Sequence, residues 1–290
     1  MLMRNEHDGP GPLDPPNDGA RSSKVPAVTL GFWIVKILAT TLGETGGDTV
    51  SMSWLGETTP EAGASGLNGY LVGTLIFGAL LAVLVAVQVR ARRFHPWLYW
   101  ATIIASTTAG TTLADFADRS LGIGYPGGSL LLLALVLGSL AWWKASVGTV
   151  DVNKIVTPRA ELFYWLTITF SQTLGTALGD WFADGIEGWS GGLISDYAGG
   201  AMVFGAGLAV LALLYLGTRV SRVALFWAAF ILTRPLGATV GDLFDKPLDK
   251  GGLDISRPLA SAVLAGLIVL LIVVLPQRAG SHPGRSEAVG

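Results

Sequence analysis

Four aspartates recur at one fixed position within four largely apolar segments. Each stands five residues after a glycine, and each glycine stands ten residues after a tryptophan. Carboxylates in apolar segments bind metal cations or exchange protons, and they are energetically unfavourable where no such partner is present. The three columns are Trp33, Trp100, Trp165 and Trp227; Gly43, Gly110, Gly175 and Gly237; and Asp48, Asp115, Asp180 and Asp242.

Other polar residues stand one helical turn from these aspartates. Residues four apart lie on one face of a helix, so each segment carries a polar stripe. We predict that the four stripes meet in one polar centre that binds a cation through oxygen ligands. The predicted substrate or ion ligands are Glu44, Asp48, Asp115, Asp180, Asp242, Thr40, Thr111, Gln172 and Thr176. The five acids are the predicted metal ligands, and Lys36 and Arg234 are the predicted charge partners.

Each column also has a purely structural interpretation. The tryptophans are typical of anchors at a membrane interface. The glycines fit close helix packing or a hinge, and the threonines and Gln172 fit hydrogen bonds between helices. The aspartates could instead cap a short outer helical turn. Lys36 and Arg234 fit either permanent salt bridges or counter-ions that a substrate displaces.

The composition indicates a protein that crosses a membrane several times. Hydrophobic residues make up 51% of the chain and charged residues only 14%. There is no cysteine, which excludes disulfides and thiolate metal sites, and the three histidines lie in predicted tails or a loop. No phosphate-binding loop is present, so we expect no ATP-driven step within this chain.

Apolar periodicity predicts eight helices in four tandem pairs. Because the motif glycines are 62 to 67 residues apart, each repeat accommodates two membrane-spanning helices with their loops. We predict a disordered tail over 1–28, a membrane domain over 29–276 and a second tail over 277–290. The predicted repeats are about 29–90, 96–144, 161–217 and 223–276.

The distribution of basic residues predicts the orientation. Thirteen of the nineteen lysines and arginines fall in the tails and in the three loops on the same side, so both termini are predicted to be cytoplasmic. All four repeats then share one orientation. The predicted fold class is an all-α membrane protein of eight helices, whose parallel two-helix repeats are related by pseudo-symmetry about the membrane normal.

The chain resembles a family of uncharacterised bacterial membrane-anchored proteins made of four tandem two-helix repeats, each with a characteristic tryptophan. The resemblance covers residues 26 to 275, and the segment KILATTLGETGGD is its most specific part. It implies an eight-helix protein of the bacterial inner membrane. It supplies no activity.

The residues themselves favour a transporter of a hard divalent cation, Mn²⁺ or Mg²⁺. Clustered carboxylates also share protons, which makes the site compatible with coupling to protons. Carboxylate, hydroxyl and amide oxygens suit such ions, whereas copper and zinc sites favour thiolate and imidazole ligands. The alternatives are a proton-coupled carrier of a small organic cation or metabolite, and a scaffold or sensor that transports nothing. We expect no enzymatic activity and no permanently bound cofactor. The expected partners are the lipid bilayer, the metal ion and protons, without nucleic acid, and an oligomer is compatible with the sequence.

Overall fold

The computed structural model describes residues 23–56, 68–190 and 196–280, and these residues form eight α-helices and no β-strand. The eight predicted helices are present, two for each predicted repeat. The helices α1 to α8 are Leu30–Asp48, Gly69–Arg90, Pro96–Asp115, Tyr125–Val147, Pro158–Ser190, Asp196–Gly217, Arg222–Asp245 and Arg257–Val274.

Five of these helices are long and apolar enough to cross a membrane by length and composition: α2, α4, α6, α7 and α8. The remaining three, α1, α3 and α5, carry polar stripes that lower their hydropathy. The chain is therefore a membrane-type helical protein in which polar residues are concentrated on particular helices.

The odd-numbered helices form a closed inner ring. Helix α1 packs against α3, α3 against α5, α5 against α7, and α7 against α1. The even-numbered helices lie outside this ring, with α2 on α3, α4 on α5, α6 on α7 and α8 on α1. Each outer helix thus packs on the inner helix that comes next in the chain, and the last outer helix, α8, packs on the first inner helix, α1.

The motif glycines hold the inner ring together. A Cβ built on any of the four would overlap the next helix of the ring, at a residue three positions before that helix's own motif glycine. The four glycine-to-neighbour contacts are Gly43 to Thr107, Gly110 to Gln172, Gly175 to Arg234 and Gly237 to Thr40. All four inner helices continue unbroken through their glycines. The glycines therefore permit close packing, and they do not interrupt the helices.

Neighbouring inner helices run in the same direction. A second contact follows the glycine contact one turn further along three of the four pairs, at Gly47 to Thr111, Gly179 to Ala238 and Gly241 to Glu44. In the fourth pair, α3 and α5, Tyr99 contacts Trp165 and Gly110 contacts Gln172. These two contacts therefore also follow the same order along both helices. The polar stripes consequently start and end at matching levels.

The interpretation of the tryptophans as interface anchors is wrong for Trp100, Trp165 and Trp227. Trp100, Trp165 and Trp227 are buried, and Trp33 is partly buried. Each tryptophan meets the aromatic residue that precedes the tryptophan of the neighbouring helix. The four ring-centroid distances are 5.5 Å for Phe32 to Trp100, 5.8 Å for Tyr99 to Trp165, 6.2 Å for Tyr164 to Trp227 and 5.7 Å for Phe226 to Trp33.

These eight aromatic residues form what we call the aromatic plug. It fills the inner ring at the end of the bundle where α1 begins and α8 ends, which we call the termini end. At its centre the hydroxyl oxygens of Tyr99 and Tyr164 lie 2.6 Å apart. The sequence contained the signal, because an aromatic residue stands directly before each tryptophan of the column.

The predicted disordered tail over 1–28 includes six described residues that pack against the bundle. Residues 1–22 and 281–290 lie outside the described residues, but residues 23–28 pack against the bundle, with Ser23 and Val25 buried. The amide of Ala27 donates to the carbonyl of Arg278 at 2.9 Å, and the amide of Gly280 donates to that of Val25 at 2.8 Å. These hydrogen bonds to the C-terminal segment satisfy backbone groups of residues 25–27, and pairing between the two ends of the chain was not visible in the sequence.

Candidate functional site

The structure places every predicted site residue inside the inner ring. None of the nine is more than 6% exposed, and five are 0% exposed. The polar stripes face inward because the glycines and the outer helices occupy the other faces of the inner helices. The centre of the bundle is therefore polar from the level of Thr40 and Gln172 to the end opposite the aromatic plug, and the mainly apolar layer of Ile103, Ile168 and Phe230 separates it from the plug.

Three of the five predicted metal ligands come together. Glu44 and Asp48 lie one turn apart on α1, and Asp242 faces them from α7. Each offers one carboxylate oxygen, and these three oxygens lie within 4.8 Å of one another. Asp48 Oδ1 is buried without a hydrogen-bond partner among the described residues. We call these three residues the acid trio; their oxygens are close enough to share one cation.

The other two predicted ligands form a separate pair. Asp115 Oδ1 lies 3.0 Å from Arg119 Nε, and Asp180 Oδ2 lies 3.6 Å from Arg119 Nη2. One guanidinium thus joins carboxylates from α3 and α5. The predicted set of five acids divides into the acid trio and this arginine-bridged pair.

A lysine sits beside the acid trio. Lys246 Nζ lies 2.9 Å from Asp242 Oδ1 and 3.3 Å from Asp48 Oδ2. Burial disfavours its ammonium, but Asp242, Asp48 and Asp245 outweigh that effect and hold the pKa of Lys246 well above its usual value. The ammonium group therefore supplies positive charge where a cation would be bound.

Arg257 adds a further base at the same end, with Nε 3.1 Å from Asp245 Oδ2 and 4.0 Å from Asp48 Oδ2. The sequence analysis named only Lys36 and Arg234 as charge partners, and it missed Arg119, Lys246 and Arg257. The signal for two of them was the spacing of four residues from the column aspartates Asp115 and Asp242, which suits an ion pair on a helix.

Arg234 pairs with the remaining member of the acid trio. Its Nη1 lies 2.9 Å from Glu44 Oε2, and its Nη2 donates to the hydroxyls of Thr111 and Thr176. These two threonines, predicted as ion ligands, hold the guanidinium in place. Arg234 is thus a charge partner, as predicted from its position on the stripe.

Two other predicted ligands have local roles. The Thr40 hydroxyl lies within hydrogen-bond distance of two carbonyl oxygens, that of Ile37 at 2.8 Å and that of Thr233 at 3.1 Å. It therefore links α1 to α7. Gln172 Nε2 lies 3.5 Å from Ser106 Oγ, and its buried Oε1 has no partner among the described residues. Neither side chain joins the acid trio.

Lys36 differs from its predicted role as a charge partner. It is fully buried, and its Nζ has no hydrogen bond or carboxylate partner among the described residues. The Nζ lies 4.2 Å from the centroid of the Phe230 ring. The aromatic face offers only a weak cation–π attraction in place of an ion pair.

The aspartates of the first two repeats do not cap a following helix. α1 and α3 pass directly into π-helical turns at Thr49–Trp54 and Phe116–Ser120. Asp48 and Asp115 immediately precede these turns, and neither makes a side-chain capping bond. The capping interpretation therefore fails at these two positions. Single π-helical turns occur frequently at functional sites.

We call the residues joined by these ion pairs the charge network. It contains ten side chains from the described part of the chain and lies at the end of the inner ring opposite the aromatic plug. Its acids are Glu44, Asp48, Asp115, Asp180, Asp242 and Asp245, and its bases are Arg119, Arg234, Lys246 and Arg257.

Comparison with known proteins identifies the repeat. A family model described as a Repeat of Unknown Function (DUF347) matches the chain four times, over residues 31–94, 98–149, 163–221 and 225–278. No curated protein and no solved structure matches the chain. The four matched segments correspond to the four predicted helix pairs.

Proposed function

The chain belongs to the DUF347 repeat family, and from this fourfold plan and its buried acidic centre we propose that it transports a hard divalent cation, Mn²⁺ or Mg²⁺, across a membrane. The acid trio carries the proposal. Three carboxylates from two helices, with oxygens within 4.8 Å of one another and shielded from solvent, form the kind of oxygen site that such ions prefer.

The proposal includes a membrane arrangement. All eight helices span the bilayer, and the four repeats surround a pseudo-fourfold axis along the membrane normal. The recurring glycine contacts and the common direction of the inner helices support this arrangement. Five helices have the length and apolar composition of membrane spans. The bias of basic residues supports a multi-pass protein of the bacterial inner membrane with the termini end in the cytoplasm.

The bases of the charge network act as internal counter-ions in the absence of the transported cation. Lys246 and Arg234 contact all three members of the acid trio, so two of the three negative charges are compensated when no ion is bound. An arriving divalent ion displaces Lys246 first, because its flexible ammonium contacts two carboxylates of the trio at the end remote from the plug. The displaced ammonium can then be solvated at that end.

The aromatic plug closes the cytoplasmic path. Asp48 follows Trp33 by fifteen residues on one helix, a rise of roughly 22 Å at 1.5 Å per residue. The acid trio therefore lies toward the outer end, and the ion must pass the plug to complete its movement. Transport through this site requires the inner helices to separate at the aromatic contacts, as in alternating access.

Ion flux into proteoliposomes tests the proposal. The full chain should move Mn²⁺ or Mg²⁺ into vesicles that contain an ion-sensitive dye, and Asp48→Asn or Asp242→Asn should reduce the initial rate at least tenfold. The matched control is Asp249→Asn, because Asp249 is exposed and outside the charge network. Unchanged flux in folded Asp48→Asn and Asp242→Asn variants contradicts the proposal.

A non-transporting scaffold is the second candidate, and the ion pairing of all five predicted acids favours it. Such a network fixes helix register without binding a ligand. A thermal-shift series with Mn²⁺, Mg²⁺ and a small amine separates the candidates, since a ligand that binds the folded protein raises its melting temperature. A scaffold shows no shift, and a shift with the amine alone indicates an organic cation carrier.

A further inference from the structure

The second and fourth repeats carry a base that the first and third repeats lack. After the column aspartate, the second repeat reads DFADR and ends this segment at Arg119, and the fourth reads DLFDK and ends it at Lys246. The corresponding segments of the first and third repeats are DTVSM and DWFAD, without a base. In the inner ring, α3 and α7 both contact α1 and α5, so the two helices that lead to these bases lie on opposite sides. The fourfold repeat therefore carries a twofold pattern of bases.

Each of these two bases bridges the column aspartate of its own helix and that of the next inner helix. The Arg119 half-site is Asp115, Asp180 and Arg119, and the Lys246 half-site is Asp48, Asp242 and Lys246. Arg119 Nε and Nη2 lie 3.0 and 3.6 Å from their two carboxylates. Lys246 Nζ lies 2.9 and 3.3 Å from its two. The four column aspartates are thus divided into two matching pairs.

The two half-sites have the same formal charge. Two carboxylates and one base leave one negative charge uncompensated in each. Replacement of the base by a divalent cation would make either half-site neutral. Mg²⁺ is commonly bound through one or two carboxylates together with water, so two aspartates suffice as protein ligands. The base in each half-site therefore decides whether an ion can enter.

The two bases differ in what they gain on release. Lys246 contacts both carboxylates through one nitrogen, and its side chain is 11% exposed, so release restores most of the hydration of a strongly hydrated ammonium. Arg119 uses two nitrogens of a rigid, weakly hydrated guanidinium, and its side chain is already 28% exposed. Release of Arg119 therefore gains less hydration and breaks two separate contacts.

A third carboxylate also distinguishes the Lys246 half-site. Glu44, which completes the acid trio, directly follows the motif glycine of α1. At the same position, α3 and α5 have Thr111 and Thr176, whose hydroxyls accept from Arg234. An ion therefore gains one more charged ligand in the Lys246 half-site than in the Arg119 half-site.

We propose that Arg119 is a tethered cation that permanently fills the second half-site and limits the protein to one divalent ion per chain. The inference rests on the proposed function, in which the ion displaces Lys246. The Lys246 half-site exchanges its ammonium for the ion, and the Arg119 half-site keeps its guanidinium throughout. Arg119 is thus a determinant of ion stoichiometry and does not contact the transported ion.

A count of bound ions tests this role. The full-length protein in detergent is dialysed to equilibrium against Mn²⁺, and the bound ions are counted per chain. Wild type should bind one ion, and Arg119→Met should bind two, because Asp115 and Asp180 lose the cation between them. The control Arg159→Met, at an exposed arginine in the first turn of α5, should bind one.

Exchange of one base for the other provides a second measurement that keeps every charge. Lys246→Arg should weaken Mn²⁺ binding at least tenfold, because a guanidinium then fills the exchangeable half-site. Arg119→Lys should admit a second ion, because an ammonium that an ion can displace then bridges Asp115 and Asp180.

The outcomes separate the inference from the proposed function. One bound ion in folded Arg119→Met overturns the role of Arg119 and leaves cation transport standing. Two ions in wild type, or unchanged Mn²⁺ affinity in Lys246→Arg, also overturn it. A wild type that binds neither Mn²⁺ nor Mg²⁺ overturns both proposals. If Arg119→Met does not fold, the ion count of Arg119→Lys decides in the same way.

Discussion

At the scale of single residues, neighbouring lysines and arginines make it possible to bury the aspartates of the column. A buried carboxylate without a partner is strongly destabilising, and each column aspartate lies within 4.0 Å of a lysine or arginine. Lys246 is the most informative of these bases, because it contacts two members of the acid trio and carries the positive charge that an ion would replace.

Lys246→Met should lower stability and increase the effect of metal. Removal of one member of a buried ion pair costs about 3–5 kcal/mol, since the carboxylates of Asp48 and Asp242 lose their neutralising charge. Added Mn²⁺ should restore much of this loss and raise the melting temperature more than in wild type. Melting in detergent with and without Mn²⁺ measures both effects, with Lys144→Met at an exposed lysine as the control. A variant that is destabilised but insensitive to Mn²⁺ and Mg²⁺ contradicts the metal site.

At the scale of helices, the motif glycines set the distance between the inner helices. At Gly110 the nearest atoms of the next helix are backbone atoms, because an added Cβ would lie 2.9 Å from the backbone carbon of Gln172 and the nitrogen of Thr173. Backbone atoms within a packed helix cannot move aside as a flexible side chain does. The close approach also brings the stripe residues of neighbouring helices into contact across the ring.

Gly110→Ala should destabilise the bundle by about 1–3 kcal/mol, the usual cost of overpacking. Gly138→Ala is the matched control, because Gly138 lies inside α4 and an added Cβ there has nothing within 4 Å. The control should be neutral or slightly stabilising, since alanine favours a helix more than glycine does. Unfolding of both variants in mixed micelles compares them, and equal stabilities would show that the inner ring tolerates wider spacing.

At the scale of the whole molecule, the two terminal segments join distant parts of the bundle. Lys24 Nζ lies 2.6 Å from Glu161 Oε2 and donates to the carbonyls of Gln88, Val89 and Ala91 at the end of α2. Glu161 lies in the first turn of α5, four residues before Trp165, so it lies beyond the aromatic plug at the termini end of the bundle. This contact connects the N-terminal segment with the first and third repeats.

Glu161 should make stability depend on pH. Burial raises its pKa to about 7, although Lys24 acts in the opposite direction. The folded protein therefore holds this proton more tightly than the unfolded chain, whose glutamate has a pKa near 4.5. The resulting stabilisation is complete below pH 4.5 and is lost as the pH rises through about 7. Chemical unfolding across this range should show a smaller pH dependence for Glu161→Gln than for wild type, with Asp249→Asn unchanged; equal slopes for all three contradict the assignment.

The sequence by itself determined the helices and the repeat. Apolar runs of membrane length and columns at fixed spacing are local properties, so the eight helices and the inward polar stripes followed from composition and the 3.6-residue period. The same period placed Glu44, Asp48 and Asp242 on helix faces that could meet.

Only the tertiary structure decided which charges meet. Contacts between helices that are far apart in the chain determine which of the five acids share a site. The same contacts place Arg119 and Lys246 beside the column aspartates and leave Lys36 without an acid beside it. The environment of the tryptophans was also decided by the tertiary structure. The same sequence periodicity fits a helix face that contacts lipid and one that contacts a neighbouring helix. Lateral packing of the inner ring makes that choice, and no spacing within one helix encodes it.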